Sequence, residues 1–112
     1  MSPRDKKAQT NQPITEVDRI IHEPARYLIM AYLYVVESAD FLFLLRQTEL
    51  TRGNLSSHLA KLEKAGYVDI KKKFSGKIPQ TLLKLTKDGR AAFDAYRVNM
   101  KKALAELPEK RQ

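Results

Sequence analysis

Hydrophobic positions recur at helical spacing through the first third of the chain. From Pro24 onward, apolar residues repeat at intervals of three and four, the spacing of one helix face: Ala25, Leu28, Ile29, Tyr32, Leu33 and Val36. Except for Arg26, the positions between them are also apolar, namely Tyr27, Met30, Ala31, Tyr34 and Val35. A helix without a polar face needs cover on both sides, and in so short a chain a second subunit is the simplest cover.

A shorter apolar stripe precedes this helix. Its members lie at helical spacing and are Ile14, Val17, Ile20 and Ile21. Thr15 and Asp18 resemble a capping box, so a short helix is predicted from residue 14 to about residue 21. Residues 1–13 are polar, contain two prolines and show no periodicity, which predicts a disordered basic tail.

A break in the pattern separates the apolar helix from the next element. The segment from Ser38 to Asp40 interrupts the helical spacing, and Asp40 is a good N-cap. Residues 41–47 are therefore predicted as a short helix. A strand is the alternative, because periodicity alone does not assign a seven-residue apolar run.

The following helix has clear signals at both ends. Thr51 can cap its start, and its buried stripe is predicted at Leu55, Leu59 and Leu62. Gly66 suits the left-handed C′ position, and Tyr67 at C″ can pack back on Leu62, as a Schellman ending requires. These signals predict a helix over residues 51–65.

The apolar period changes from helical to alternating beyond Gly66. Val68, Ile70, Lys72 and Phe74 share one face of a strand, and Asp69, Lys71 and Lys73 share the other. Residues 75–80 form a turn segment, and residues 81–85 are a second strand. Together they predict a β-hairpin over residues 68–85.

A long helix is predicted at the end of the chain, over about residues 87–107. Thr86 can cap it, and Asp88 lies in its first turn, where the helix dipole favours negative charge. Five apolar residues follow at spacings of 3, 4, 3 and 4, which is typical of a coiled-coil seam: Phe93, Tyr96, Met100, Ala103 and Leu107. We expect this seam, together with Tyr27 and Tyr34, to form a homodimer interface. The alternative is a helix that docks on its own domain.

Length and composition narrow the class of protein. A chain of 112 residues with 43% hydrophobic residues suits one globular domain. It has no cysteine, which excludes disulfides and thiolate zinc sites and permits a reducing cytoplasm. The longest apolar run, residues 27–36, is about half of a bilayer span, and no signal-peptide core follows the N-terminus. We therefore expect a soluble cytoplasmic protein with no membrane partner.

Positive charge is concentrated in the middle of the chain. The net charge is +8, and residues 51–80 alone carry +5, from seven basic and two acidic residues. A lysine-rich surface that only maintains solubility would have the same composition. The concentration in one structured segment nevertheless favours an anionic partner.

The order of these elements and several of their residues resemble winged-helix transcriptional regulators related to the MarR and ArsR groups. The matching blocks run from Ile21 to Arg26, from Asp40 to Arg46, from Thr51 to Val68 and from Leu85 to Arg90, within residues 18–96. The most specific piece is Asn54-Leu-Ser-Ser-His-Leu59. The resemblance implies a winged helix-turn-helix with an additional C-terminal dimerisation helix, residues 14–112 forming one domain that binds DNA as a dimer.

The helix over residues 51–65 presents a small, polar face opposite its leucines. A step of 100° per residue puts Ser57 opposite the buried stripe, flanked by Asn54 and Lys61, and leaves Gly53, Ser56 and Ala60 outward. Such a face fits closely into the major groove, where Asn54 can bond to adenine and Arg52 to guanine or phosphate. The predicted DNA contacts on this helix are Thr51, Arg52, Asn54, Ser56, Ser57 and Lys61.

Lysines of the hairpin supply the second set of predicted DNA contacts. Lys71, Lys73 and Lys77 lie on its outward face or at its tip, where a wing meets the DNA backbone or the minor groove. A solvated edge strand protected by lysine is the alternative. The tip departs from the family's pattern, because residues 76–80 contain one basic residue, Lys77, where the family carries arginines.

Other chemistry finds little support in the sequence. His58 lies beside the leucine stripe and is interpreted as a packed helix residue, and His22 has only Glu23 beside it, so no metal site and no cofactor are predicted. Motifs for phosphate binding, hydrolysis and metalloproteolysis are absent, which argues against an enzyme. A pocket near Tyr27, Tyr32 and Tyr34, between the apolar helix and the dimer seam, is a candidate site for a small apolar effector. The alternative is that these aromatic residues are part of the core.

These patterns predict a sequence-specific regulator of transcription that binds double-stranded DNA, a homodimeric repressor in a prokaryotic cytoplasm. Helix 51–65 would enter the major groove, and hairpin 68–85 would act as the wing. Two alternatives remain open: a winged helix that binds other proteins, and a nonspecific architectural DNA-binding module. The second alternative requires apolar wedges or more basic residues at the tip.

Overall fold

The computed structural model describes residues 18–107, which form four helices and a three-stranded antiparallel sheet. The elements are α1 (Pro24–Val36), β1 (Ser38–Asp40), α2 (Phe41–Thr48), α3 (Arg52–Lys64), β2 (Val68–Ser75), β3 (Ile78–Leu85) and α4 (Lys87–Ala105). This confirms the mainly α-helical fold with a β-hairpin. The predicted tail, residues 1–13, lies outside the described residues. Within them, no helix is long and apolar enough to cross a membrane.

A side chain caps the start of each of these helices. The capping residues, each accepting a hydrogen bond from a backbone amide of the first turn, are Glu23, Asp40, Thr51 and Thr86. The three caps predicted from the sequence, Asp40, Thr51 and Thr86, are confirmed. Residues 41–48 are helical, so the strand alternative for this segment is wrong.

The sheet contains one strand that the sequence did not predict. Its strand order is β1-β3-β2, with the hairpin of β2 and β3 as predicted and β1 added along the other edge of β3. β1 pairs antiparallel with residues 82–84, opposite Ser38 to Asp40. Three residues are too few to show an alternating pattern, and the strand exists because β3 supplies its hydrogen-bonding partners.

A single hydrophobic core lies between the helices and the sheet. Its fully buried side chains include Ile21, Ile29, Met30, Leu33, Leu44, Leu55, Leu62, Val68 and Leu83. In α1, the predicted buried residues Ile29 and Leu33 are buried. The buried face differs from the prediction at other positions, because Met30 is buried whereas Leu28 and Val36 are exposed. The stripe of α3 is buried at all three predicted leucines.

The segment before α1 is a turn and not the end of a helix. Residues 19–21 adopt turn geometry, which corrects the predicted helix over its last three residues; residues 14–17 lie outside the described part. Asp18 holds the turn, because its Oδ1 accepts a hydrogen bond from the Ile20 amide at 2.8 Å. Its Oδ2 accepts one from the Tyr67 hydroxyl at 2.5 Å. The Asp18 carboxylate thus stabilises both this turn and a tertiary contact with Tyr67.

The end of α3 has the predicted Schellman geometry. Gly66 has φ +84°. The Tyr67 amide donates to the Leu62 carbonyl at 2.9 Å, and the Gly66 amide donates to the Glu63 carbonyl at 2.9 Å. The chain therefore leaves α3 in a fixed direction and enters β2 directly.

The predicted seam of α4 is partly wrong. Phe93 and Tyr96 are 3% and 8% exposed within a single chain, so they already have partners there. The ring of Tyr27 on α1 packs on both, with centroid separations of 5.5 Å to Phe93 and 5.7 Å to Tyr96. Met100 and Ala103 are half-buried, and Leu107 is 61% exposed. The first half of α4 docks on its own domain, and apolar surface remains free near its end.

Candidate nucleic-acid interface

One face of α3 is open to solvent along its whole length. Every residue predicted to contact DNA on this helix is exposed: Thr51, Arg52, Asn54, Ser56, Ser57 and Lys61. The opposite face is anchored by Leu55, Leu59 and Leu62, which are buried in the core. Thr51 also has a structural role, because its Oγ1 accepts the Asn54 amide at 3.1 Å as the helix cap. Its hydroxyl proton is still available for an external acceptor.

Polar contacts hold the flank of α3 against α1. The guanidinium of Arg26 donates to His58 Nδ1 at 3.2 Å, and its Nε donates to the Ile20 carbonyl at 2.6 Å. Glu23 Oε1 lies 3.9 Å from the same His58 nitrogen. His58 is half-buried and positions the helix, in agreement with its interpretation as a packed residue. Among residues 18–107, no three His, Cys, Asp or Glu side chains cluster as a metal site would require.

A groove of about 550 Å³ separates α3 from the base of the hairpin. Arg52, Ser56, Ala60 and Glu63 of α3 line one side, and Ile70, Lys72 and Thr81 of the strands line the other. Phe41 lies at one end, where the Arg52 guanidinium carbon is 6.0 Å from its ring centroid. The groove thus has a cation on each wall, Arg52 and Lys72. Sequence reasoning omitted Lys72, because alternation assigned it to the buried face of β2.

The hairpin extends beyond the core as a two-stranded ribbon. Residues 71–79 are all exposed, which includes the predicted contacts Lys71, Lys73 and Lys77. Gly76, with φ +67°, and Lys77 form the two-residue turn between Ser75 and Ile78. Positive φ at the first turn position is the requirement that glycine meets without strain. The ribbon therefore presents lysines on both faces and one at its end.

An aromatic cluster joins α1 to α4. Tyr34 lies 5.2 Å from Phe93 between ring centroids, and its hydroxyl donates to Asp94 Oδ1 at 2.6 Å. This hydrogen bond is the main reason why the pKa of Tyr34 is raised. The Arg90 guanidinium lies 4.6 Å from the Tyr34 ring centroid. Tyr34 is thus bound within its own chain, and the contact couples the two helices.

The three tyrosines of the predicted effector pocket do not meet in one chain. Tyr27 and Tyr34 both pack on Phe93, whereas Tyr32 packs edge-on against Phe43 of α2 with a centroid separation of 6.2 Å. They diverge because the rotation of an α-helix by 100° per residue places Tyr32 on a different side of α1. Within a chain, only Tyr27 and Tyr34 share a surface.

The sequence of this domain is similar to those of known proteins. Residues 25–104 match the family described as "Winged helix DNA-binding domain". The chain belongs to the winged-helix DNA-binding domain family. It is 40% identical over 78 residues to an uncharacterized protein of Methanocaldococcus jannaschii, covering 70% of this chain and 85% of that one. Members of this winged-helix family are DNA-binding proteins and not enzymes.

The domain shares its fold with solved transcriptional regulators, one of which belongs to the MarR family. It matches the transcriptional regulator homologue from Pyrococcus horikoshii OT3 with a TM-score of 0.74 and 25% identity, over 96% of this chain and all (100%) of that chain. It shares its fold with PcaV from Streptomyces coelicolor, solved with its natural ligand, with a TM-score of 0.67, 20% identity and coverage of 94% and 76%. A MarR family regulator from Silicibacter pomeroyi gives a TM-score of 0.59 at 20% identity, with coverage of 76% and 56%. The winged helix of this chain therefore has the same fold as these regulators.

Proposed function

We propose that this protein is a homodimeric, sequence-specific repressor of transcription, with α3 in the major groove and the hairpin as a wing on the adjacent backbone. The observation that carries the proposal is the exposed face of α3, small and polar along its length, beside a ribbon of lysines. A face without bulky side chains can approach base edges closely. The lysines supply the phosphate contacts that give affinity and fix the orientation of the domain.

Different residues would serve specificity and affinity. Asn54 lies in the first turn of α3 and carries the amide that can bond to two adenine atoms at once. Arg52 lies two residues earlier, at the start of α3, where the helix dipole also favours a phosphate. Lys71, Lys73 and Lys77 of the wing would contact phosphates and contribute little to the choice of sequence.

The homodimer is supported by apolar surface that one chain leaves uncovered. Val98 and Leu104 are exposed along α4, Leu107 is exposed just beyond its end, and Val35 is exposed near the end of α1. Surface of this kind on two long elements is typical of an interaction site. A twofold dimer would present two copies of α3 to two half-sites about one helical turn apart.

A small apolar effector is a further part of this proposal. Tyr27 is 40% exposed although its ring packs on Phe93 and Tyr96, so a second subunit that covers this part of α1 would enclose a pocket there. PcaV, which shares the fold, was solved with a ligand. An effector bound between subunits would change the separation of the two α3 helices and release DNA. A thermal-shift screen of aromatic acids against the wild type and Tyr27→Ala tests this.

Selection from a random duplex pool tests the function itself. We expect the bound fraction to converge on one motif with two inverted half-sites, because a symmetric dimer binds a symmetric site. A variant with Asn54→Ala should select a motif that is degenerate at one position in each half-site. An unconverged pool at every salt concentration would contradict sequence-specific binding and favour the protein-binding or architectural alternatives.

A further inference from the structure

The tip of the wing exposes two large apolar side chains. Phe74 is 69% exposed and Ile78 is 68% exposed. Both lie within residues 71–79, the exposed part of the hairpin, which projects from the core by about 15 Å at roughly 3.3 Å per residue. Neither side chain contributes to the hydrophobic core from this position. Their location indicates contact with something outside the chain.

Phe74 and Ile78 lie on opposite faces of the ribbon. Phe74 pairs with Pro79, and Ile78 pairs with Ser75. Side chains of paired residues share a face and those of successive residues alternate, so the two apolar side chains point away from each other. A flat protein surface would cover only one of them. A narrow groove with two walls covers both.

The charges around the tip indicate that the partner's narrow groove is anionic. Residues 70–86 contain five lysines and no acidic residue. Lys72 is on the face of Phe74, and Lys71 and Lys73 are on the face of Ile78, each set back from the turn. The walls of the DNA minor groove are formed by sugars, and its rims carry phosphates. Each face of the ribbon therefore offers an apolar side chain to a wall and a lysine to a rim.

We propose that Phe74 and Ile78 form an apolar wedge that the wing inserts into the minor groove, where it forces the two walls apart and so opens a base step and bends the duplex. This inference rests on the proposed function, because α3 in the major groove brings the neighbouring hairpin to the adjacent minor groove. Opening a step costs least at pyrimidine–purine steps, which unstack readily. The wedge thus adds a sequence preference that needs no hydrogen bond to a base.

Fluorescence of 2-aminopurine, which rises when the base is unstacked, tests the wedge directly. The full-length protein is titrated into a series of selected duplexes, each carrying 2-aminopurine at one position flanking the α3 contacts. We expect the wild type to raise the fluorescence at one step per half-site. The double variant Phe74→Ala with Ile78→Ala should lose this rise and bind the site about tenfold more weakly, with an unchanged salt slope.

Lys77→Ala is the matched control at the same tip. It should lower the salt slope by about one and keep the fluorescence rise, since it removes a phosphate contact and no apolar surface. Circular dichroism should show all variants folded, because the substituted side chains are exposed.

Three outcomes would overturn the wedge. One is an unchanged fluorescence rise in the double variant. Another is specific binding by the wild type without a rise at any scanned step, which would leave the proposed function standing. The third is a change in sedimentation mass for the double variant without DNA, which would make the tip a protein contact. Absence of any preferred duplex for the wild type would instead reject the proposed function as well.

Discussion

Gly89 of α4 packs directly against the backbone of Tyr67, so closely that a β-carbon at Gly89 would overlap the Tyr67 carbonyl oxygen. Thr86 reinforces the contact, because its amide donates to the same Tyr67 carbonyl at 3.0 Å and its hydroxyl donates to the Gly66 carbonyl at 2.6 Å. Tyr67 follows the Schellman end of α3, and Gly89 lies in the first turn of α4. The end of α3 and the start of α4 are therefore joined through their backbones.

Substitution of this glycine should destabilise the fold strongly. The Tyr67 backbone cannot move aside without displacing the end of α3, so Gly89→Ala should lower the free energy of unfolding by about 3 kcal/mol. Gly53→Ala is the matched control, because a β-carbon at Gly53 meets nothing within 4 Å. It should be neutral or stabilising by about 0.5–1 kcal/mol, since alanine favours a helix over glycine. Equal unfolding midpoints in urea for the two variants would contradict the close packing.

The Tyr67–Asp18 hydrogen bond should make stability depend on alkaline pH. Burial of the Tyr67 hydroxyl raises its pKa above the ordinary tyrosine value of about 10, and the hydrogen bond that it donates to the Asp18 carboxylate raises the pKa further. The folded state then holds this proton more tightly than the unfolded state, so the stabilisation is complete below about pH 10 and is lost as the pH rises through the folded pKa. Tyr67→Phe should lower stability at pH 7 by about 1 kcal/mol and weaken the decline above pH 10. Parallel stability curves for both proteins from pH 8 to 11 would show that the hydrogen bond does not form.

Specificity and salt dependence should separate by mutation. Asn54→Ala should cost about 1–3 kcal/mol on the selected site and little on random DNA, because it removes a contact to base edges. Lys73→Ala should weaken binding on all sequences and reduce the salt slope by about one. Lys101→Ala, an exposed lysine on α4, is the charge-matched control and should leave the slope unchanged. If Asn54→Ala leaves discrimination intact, α3 does not contact base edges through this residue.

Dimerisation should depend on the exposed end of α4 and not on its buried half. Leu104→Glu with Leu107→Glu should halve the mass in sedimentation equilibrium without unfolding the domain, since both side chains are exposed in one chain. Phe93→Glu should instead unfold the domain, because it places a charge in the core. A mass that stays dimeric in the leucine variant would move the subunit interface elsewhere.

Local signals in the sequence were sufficient for most of the fold. The caps at Asp40, Thr51 and Thr86, the glycine after α3 and the change of period at Val68 each determine a boundary through contacts within a few residues. These signals correctly predicted three helix starts, the Schellman ending and the hairpin. The family resemblance then predicted how these elements assemble.

The errors arose where long-range contacts override a local pattern. The predicted helix extended to Ile21, yet residues 19–21 form a turn, and the Asp18 carboxylate that holds this turn also bonds to a residue 49 positions away, Tyr67. The spacing of apolar residues in α4 is that of a coiled-coil seam, but Tyr27 of the same chain covers its first two residues. The alternating pattern assigned Phe74 and Lys72 to a buried face of β2. Both are exposed, because the hairpin extends beyond the hydrophobic core at these positions. Nothing in the sequence near these positions reports where the core ends.

Hydroxyl-radical footprinting of the wild-type protein on the selected duplex tests the central claim most directly. Binding of a dimer through two α3 helices and two wings predicts protected patches on both strands, arranged symmetrically about a centre, with half-sites about 10 base pairs apart. The pattern should appear at the same concentrations as binding and vanish on a scrambled duplex. Uniform protection, or protection equal on the selected and scrambled duplexes, would contradict a sequence-specific dimeric regulator.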